Sequence, residues 1–185
     1  MSRTLRFVAL AAALQAAALL AARPAAAAVR LFAYESANDA TRHVSGDLTF
    51  EFDQRLIFTT VLSISSTEGR AHADLKPADE HALGAGGLSR LIGPNAQERD
   101  LYKVDPEGQG EDLIHAFCPG STRAWLAFSR IVEGKPLRVQ VIGDAPTGGP
   151  SRLCHTLDFA FRGEWKLPGR DGVPAHELVV PHFPY

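Results

Sequence analysis

The chain has 185 residues, 19 of them basic and 21 acidic, a net charge of −2 and 45% apolar residues. That balance excludes the basic footprint that nucleic acid or an anionic lipid surface would require. Two cysteines exclude a dense disulfide framework, and Met1 as the single methionine excludes a methionine-rich copper site.

Residues 1–28 have the layout of a secretory leader. Ser2, Arg3, Thr4 and Arg6 form a short positive segment, Phe7 to Ala22 carry no charge, and Arg23 to Ala28 supply small residues, with Ala26 and Ala28 placed for cleavage after Ala28. No cysteine lies near the cut and no Arg-Arg pair precedes the apolar stretch, so a general secretory route is expected, neither lipid-anchored nor twin-arginine. The leader takes Arg3, Arg6 and Arg23 and no acidic residue, which moves the net charge from −2 to −5. The expected destination is the periplasm or the exterior.

Beyond the leader, 29–167 reads as one β-rich domain. Val29 opens a strand-like run, and Leu48, Phe50 and Phe52 alternate with Thr49, Glu51 and Asp53. Leu56 to Ser65 continues the pattern, and Ala71, Ala73 and Leu75 alternate with Arg70, His72, Asp74 and Lys76. Gly84 to Pro94, with four glycines around Leu88, Leu91 and Ile92, predicts a connection with one short helical turn. Strands are then predicted over Leu101 to Val104, Leu113 to Cys118, Arg123 to Val132, Leu137 to Ile142 and Leu153 to Phe161. Hairpins are predicted at Glu133 to Pro136 and at Asp144 to Ser151. Both faces of Arg123 to Val132 carry large apolar groups, Trp125 and Ile131 on one and Leu126 and Phe128 on the other, so that strand should be covered on both sides. Residues 168–185, broken by Pro168, Pro174, Pro181 and Pro184, read as an extended tail. The expected fold is mainly β, an antiparallel sandwich or a small barrel with few or no helices.

Cys118 and Cys154, an even pair in an exported chain, predict a structural disulfide that contributes about 3–4 kcal/mol in the chain-entropy model. A zinc site from His115, Cys118, Cys154 and His155 is the alternative, weakened because adjacent strand residues point to opposite faces. His155 alternates with Leu153 and Leu157 and reads better as a core-side histidine. His176, Glu177 and His182 form a second set, but their Pro-broken spacing departs from the helical zinc signature.

No nucleophile elbow, Walker loop, haem motif, dinucleotide fingerprint or calcium loop occurs, and no cofactor is expected. Glu51 and Asp53 share a strand face, and His72 with Asp74 could face them if those strands pair. Such residues belong first to the wet side of a strand and second to a scattered hydrolytic site. Trp165, between Glu164 and Lys166, is the aromatic expected to be partly exposed and a candidate contact residue. These features point to an exported, non-catalytic envelope module that binds a protein, glycan or small ligand, with no stable membrane insertion after cleavage. A periplasmic hydrolase and a small outer-membrane barrel are the alternatives.

Overall fold

A computed structural model describes residues 28–55, 58–68, 71–145 and 149–166. Most of the leader, the tail with His176, Glu177 and His182, and also Leu56 and Arg70 lie outside the described residues. Eight strands follow one another as an antiparallel meander: β1 (Ala28–Ser36), β2 (Leu48–Arg55), β3 (Phe58–Ser66), β4 (His72–Pro77), β5 (Asp100–Val104), β6 (Ala124–Phe128), β7 (Leu137–Gly143) and β8 (Arg152–Lys166). The last pairs with the first, so the sheet is a closed barrel, the second of the two architectures its periodicity allowed. β8 spans both seams: Arg152 to Phe159 pair with β7, and Phe159 to Lys166 pair with β1.

Alternation decides which residues fill the interior. Phe32 and Tyr34 of β1 pair with Phe50 and Leu48 of β2, and all four point inward. Val139 and Leu157 continue that lining on the far side. Eight strands enclose a space just wide enough for side chains, and aromatic pairs such as Tyr34 with Phe50 and Phe50 with Phe128, 6.0 and 5.6 Å between centroids, occupy it. Burial pushes the Tyr34 hydroxyl up to about 12.

Two short helices close one end. α1 (Asp39–Ser45) is capped by Asn38, whose side-chain Oδ1 accepts from the Thr41 amide at 2.8 Å. Of residues 113–118, predicted as a strand, 113–117 belong instead to a helix, α2 (Gly110–Phe117), and Cys118 is its C-cap. The apolar residues of this segment also satisfy the helical period, since Gly110, Leu113, Ile114 and Phe117 share one face and all are buried. A Cβ on Gly110 would meet the Asp105 carbonyl oxygen at 1.8 Å, so only glycine lets this helix start so close to β5. His115 consequently points outward, beside Glu111 at 3.6 Å.

The long β4–β5 connection folds back over the outside of the barrel. A 3₁₀ turn (Glu80–Leu83) and a one-turn helix, α3 (Gly87–Ile92), place Leu83 and Leu88 over Leu101, Trp125, Ala127 and Ile142. This second small core explains why every residue of β6 is buried, as its two apolar faces predicted. Ile131 departs from the expectation: β6 ends at Phe128, and Ile131 packs against the inner core instead of beside Trp125.

Cys118 and Cys154 form a disulfide with their Cα atoms 5.4 Å apart, tying the end of α2 to the start of β8. The alternative zinc set is thereby overturned, because its two sulfurs are bonded to each other. Cys154 is the extra residue of a bulge at which Val141 pairs with His155 and Ile142 with Leu153. His155 keeps the core side, half-buried, whereas Leu153 turns outward and is 38% exposed, so the expected alternation of Leu153 with Leu157 is broken here. Gly143 faces the bridge; a Cβ there would lie 2.3 Å from both Cys118 Sγ and Ser121 Oγ.

Asp144 holds the same end. Its carboxylate accepts from the amides of Thr122 and Arg123, each at 2.9 Å, from Thr122 Oγ1 at 2.8 Å and from Arg123 Nε at 3.2 Å. Burial alone would raise this carboxyl, but those donors outweigh it and hold the group at about 2 against an ordinary 3.8. A depressed carboxyl stabilises the fold above its ordinary pKa, and that contribution disappears as pH falls toward the folded value. Asp144→Ala is therefore expected to cost about 2–3 kcal/mol near neutral pH. Urea unfolding of both chains across pH should show the deficit shrinking between about pH 4 and pH 2.

Candidate functional site

Outward residues of neighbouring strands line up in rows set by the register. One row runs Trp165, Leu31, Glu51, Ser63, Asp74 across β8, β1, β2, β3 and β4. The next runs Gly163, Ala33, Thr49, Ser65, His72 across the same strands. Four of the residues singled out from sequence, Trp165, Glu51, Asp74 and His72, thus lie on the outer face of the barrel, spread round it from β8 to β4. Asp53 sits on the same outer face one pair further along, opposite Val29.

Along this face the contacts are specific. Ser63 Oγ donates to Glu51 Oε2 at 3.1 Å. Ser65 Oγ lies 3.0 Å from His72 Nδ1, and His72 Nε2 lies 3.8 Å from Asp74 Oδ1. Glu51 and His72 stay apart, because β3 lies between their strands and two strand spacings are about 9.6 Å. The structure therefore joins His72 and Asp74 to Ser65 and joins Glu51 to Ser63, and it does not bring the carboxylate pair of β2 to the histidine. Neither Ser63 nor Ser65 stood out in the sequence. Their signal was latent in the alternation of β3, which places both on the outer face with Glu51 and His72 as cross-strand neighbours.

Trp165 is 42% exposed. Its ring edge, Cη2, reaches back to 3.7 Å from where a Cβ of Gly163 would stand. Ala33, paired with Gly163, is buried although its strand position points outward. The indole consequently lies along the sheet over small residues.

Two concavities mark the described surface. A cleft of about 380 Å³ is lined by His72, Ala73, Asp74, Asp105 and Glu107 to Gln109. Lys76 pairs with Asp105 beside it, and that contact, joined by the Glu107 amide, lowers the Asp105 carboxyl. A wider hollow of about 720 Å³ lies over the turn from Asp79 to Gly87. Among the described residues, no three His, Cys, Asp or Glu side chains gather in a way that could hold a metal ion.

At the opposite end from α1 and α2, the mouth of the barrel is closed by charge. Arg30 Nε donates to Glu164 Oε1, its Nη2 reaches Glu133 Oε2 at 3.1 Å, and its guanidinium lies 5.1 Å over the Phe32 ring. The hydrogen bond that Arg30 donates to Glu164 is the main reason the Arg30 pKa is raised. Among the described residues, side chains thus cover both ends and fill the interior, and the two concavities lie outside the barrel.

Fold and site together define a class: a small next-neighbour antiparallel barrel with an apolar filled interior, a disulfide at one end and an amphipathic outer wall. Compared with family models, curated proteins and solved structures, the chain matches none of them.

The two tryptophans should separate contact from core. Trp125, 2% exposed beneath the β4–β5 connection, is expected to cost about 3–5 kcal/mol when replaced by alanine. Trp165→Ala should cost about 1 kcal/mol or less. Urea midpoints of the two variants measure the difference.

Proposed function

We propose that the chain is an exported, non-catalytic binding module of the cell envelope, working through the outer wall of its barrel. The observation that carries this reading is the outward row ending on the exposed, sheet-hugging Trp165, since aromatic groups of this kind dominate contact energetics. The Cys118–Cys154 disulfide supports an oxidising compartment. Cleavage after Ala28 would remove only the first residue of β1 and leave every other strand whole. Closure of the barrel also removes the free sheet edge, so binding by strand addition has no place to occur.

The orientation of the wall argues against a membrane barrel. Such barrels turn an apolar band outward, whereas here the apolar row is internal and outward pairs include Arg138 with Asp158 at 2.7 Å and Gln140 with Thr156 at 2.6 Å. The proposal is tested by expressing the full gene in a bacterium with an outer membrane and weighing the product of the periplasmic fraction. A species beginning at Val29 and two hydrogens lighter than the reduced mass is expected. A full-length cytoplasmic species with both thiols free would overturn it.

A second reading rests on the contact of Ser65 with His72. In an ester hydrolase, Ser65 Oγ would add to the acyl carbon while His72 Nδ1 takes its proton. Asp74 would steady the imidazolium at Nε2, the alcohol would leave with that proton, and water would release the acid. Against it stands exposure, with the His72 side chain 51% and that of Asp74 72% accessible, where solvent competes for every bond in the relay. Hydrolysis of an aryl acetate above the background of imidazole, abolished by Ser65→Ala and by His72→Ala alike, would establish this reading. Unchanged turnover in either variant would remove it.

A further inference from the structure

The β4–β5 connection is held to the barrel by apolar contact and by little else. Between Asp79 and Ala96 the hydrogen bonds of the described residues stay inside the connection, with one exception. Asp79 caps the 3₁₀ turn through the His81 amide at 2.8 Å, Glu80 Oε2 accepts from the Leu88 amide at 3.3 Å, and the Gly93 amide donates to the Ser89 carbonyl at 3.0 Å to close α3. The exception is Arg90, whose Nη2 donates to the Ser151 carbonyl at 3.2 Å while the same guanidinium also holds the carbonyls of Ala85 and Leu83. What remains is the packing of Leu83 and Leu88, with Leu91 and Ile92 partly buried, on Leu101, Trp125, Ala127 and Ile142. These residues form a core of their own on the outside of the barrel, separate from the one that fills its interior.

Beneath the connection one polar group is left without an acceptor. Trp125 Nε1 is buried, and no described residue accepts its proton, although the great majority of buried polar groups in folded proteins are paired. The closed arrangement therefore carries the cost of a desolvated donor, and that cost is relieved once water reaches the indole. The backbone over it is free to turn. Gly84 ends the 3₁₀ turn and Gly93 ends α3, with φ of +86° and +93°, and nothing lies within 4 Å of where a Cβ would stand at either.

We infer that the β4–β5 connection is a strap that opens from the barrel as one cooperative unit, while the barrel itself stays folded, and uncovers an apolar wall with the Trp125 indole as its donor. The wall is continuous, because Leu101 pairs with Ala127 across β5 and β6, and Trp125 pairs with Ile142 across β6 and β7. Opening melts the strap, since α3 has 6 residues and a helix so short does not persist without tertiary contact. Units with few buried contacts and few bonds to the rest of the fold open well below the global unfolding free energy. This wall belongs to β5, β6 and β7, whereas Trp165 belongs to β8, so the strap stands apart from the binding-module reading.

Native-state hydrogen exchange on the mature, disulfide-bonded chain, followed by NMR in increasing urea, tests the strap. Its reporters are the Trp125 indole proton and the amides of Arg90 and Gly93, which bond to the Gly86 and Ser89 carbonyls, with the amides of β7 as the reference. Trp165→Phe identifies the second indole signal. After correction for intrinsic rates, the three reporters are expected to share one protection factor, at least tenfold below that of β7 and with a weaker urea dependence. Arg90→Ala, which removes the bond to Ser151, should lower the strap's protection severalfold and leave that of β7 unchanged. Exchange of the Trp125 indole only together with β7 overturns the strap, as does an equal loss of protection at both places in Arg90→Ala. Fast indole exchange with the Arg90 and Gly93 amides still protected overturns it too, because water would then reach the ring without any opening.

Discussion

Closure of the sheet by β8 is the constraint on which the rest of this structure depends. A strand of 15 residues pairs by its first half with β7 and by its second with β1, and that change of partner turns a meander into a barrel. Once eight strands close, the inside has a set volume, and the inward residues, among them Phe32, Tyr34, Phe50, Phe128 and Phe159, fill it. A filled interior cannot hold a ligand, and a closed sheet has no edge to lend. Surface open to solvent is therefore that of the outer wall and the loops.

The two ends solve the problem of closure differently. At one end the helices lay Val44, Leu113, Ile114 and Phe117 against the core, and a covalent bridge and the Asp144 carboxylate hold the chain turn between them. Both devices act on Cys118 to Arg123, the segment where the chain leaves α2 and enters β6. Entropy opposes ordering such an irregular stretch, and charged hydrogen bonds with a crosslink offset that cost. The other end relies on Arg30, whose long stem lies over Phe32 while its head meets Glu164 and Glu133.

On the outer wall, register does what sequence neighbourhood cannot. Trp165 and Leu31, like Glu164 and Arg30, are 134 residues apart in the chain, yet in the barrel their strands are adjacent. The same register sets Ser65 against His72 and Ser63 against Glu51, giving the wall a gradient from apolar to acceptor-rich. The Ser65–His72 contact there is exposed and the Ser63–Glu51 contact part-buried, and cross-strand pairs of this kind contribute about 0.2–1 kcal/mol each.

Period-two alternation was legible in the chain because it is a local property: Leu48, Phe50 and Phe52 read the same in any fold that buries one face of a strand. The sequence by itself also determined the doubly buried β6, the hairpins after Phe128 and Gly143, and the pairing of the two cysteines, each from residues whose chemistry admits few alternatives. It could not determine α2, since Leu113, Ile114 and Phe117 satisfy both periods in so short a segment, and only the close approach of Gly110 to Asp105 selects the helix. Nor could it determine the bulge at Cys154, which turns Leu153 outward, or the choice between sandwich and barrel. Those depend on which distant strands pair and in what register. Hydrogen bonding between β1 and β8 is a contact between the two ends of the domain, and only the tertiary structure decides it, because no local pattern encodes the partner of an unpaired edge.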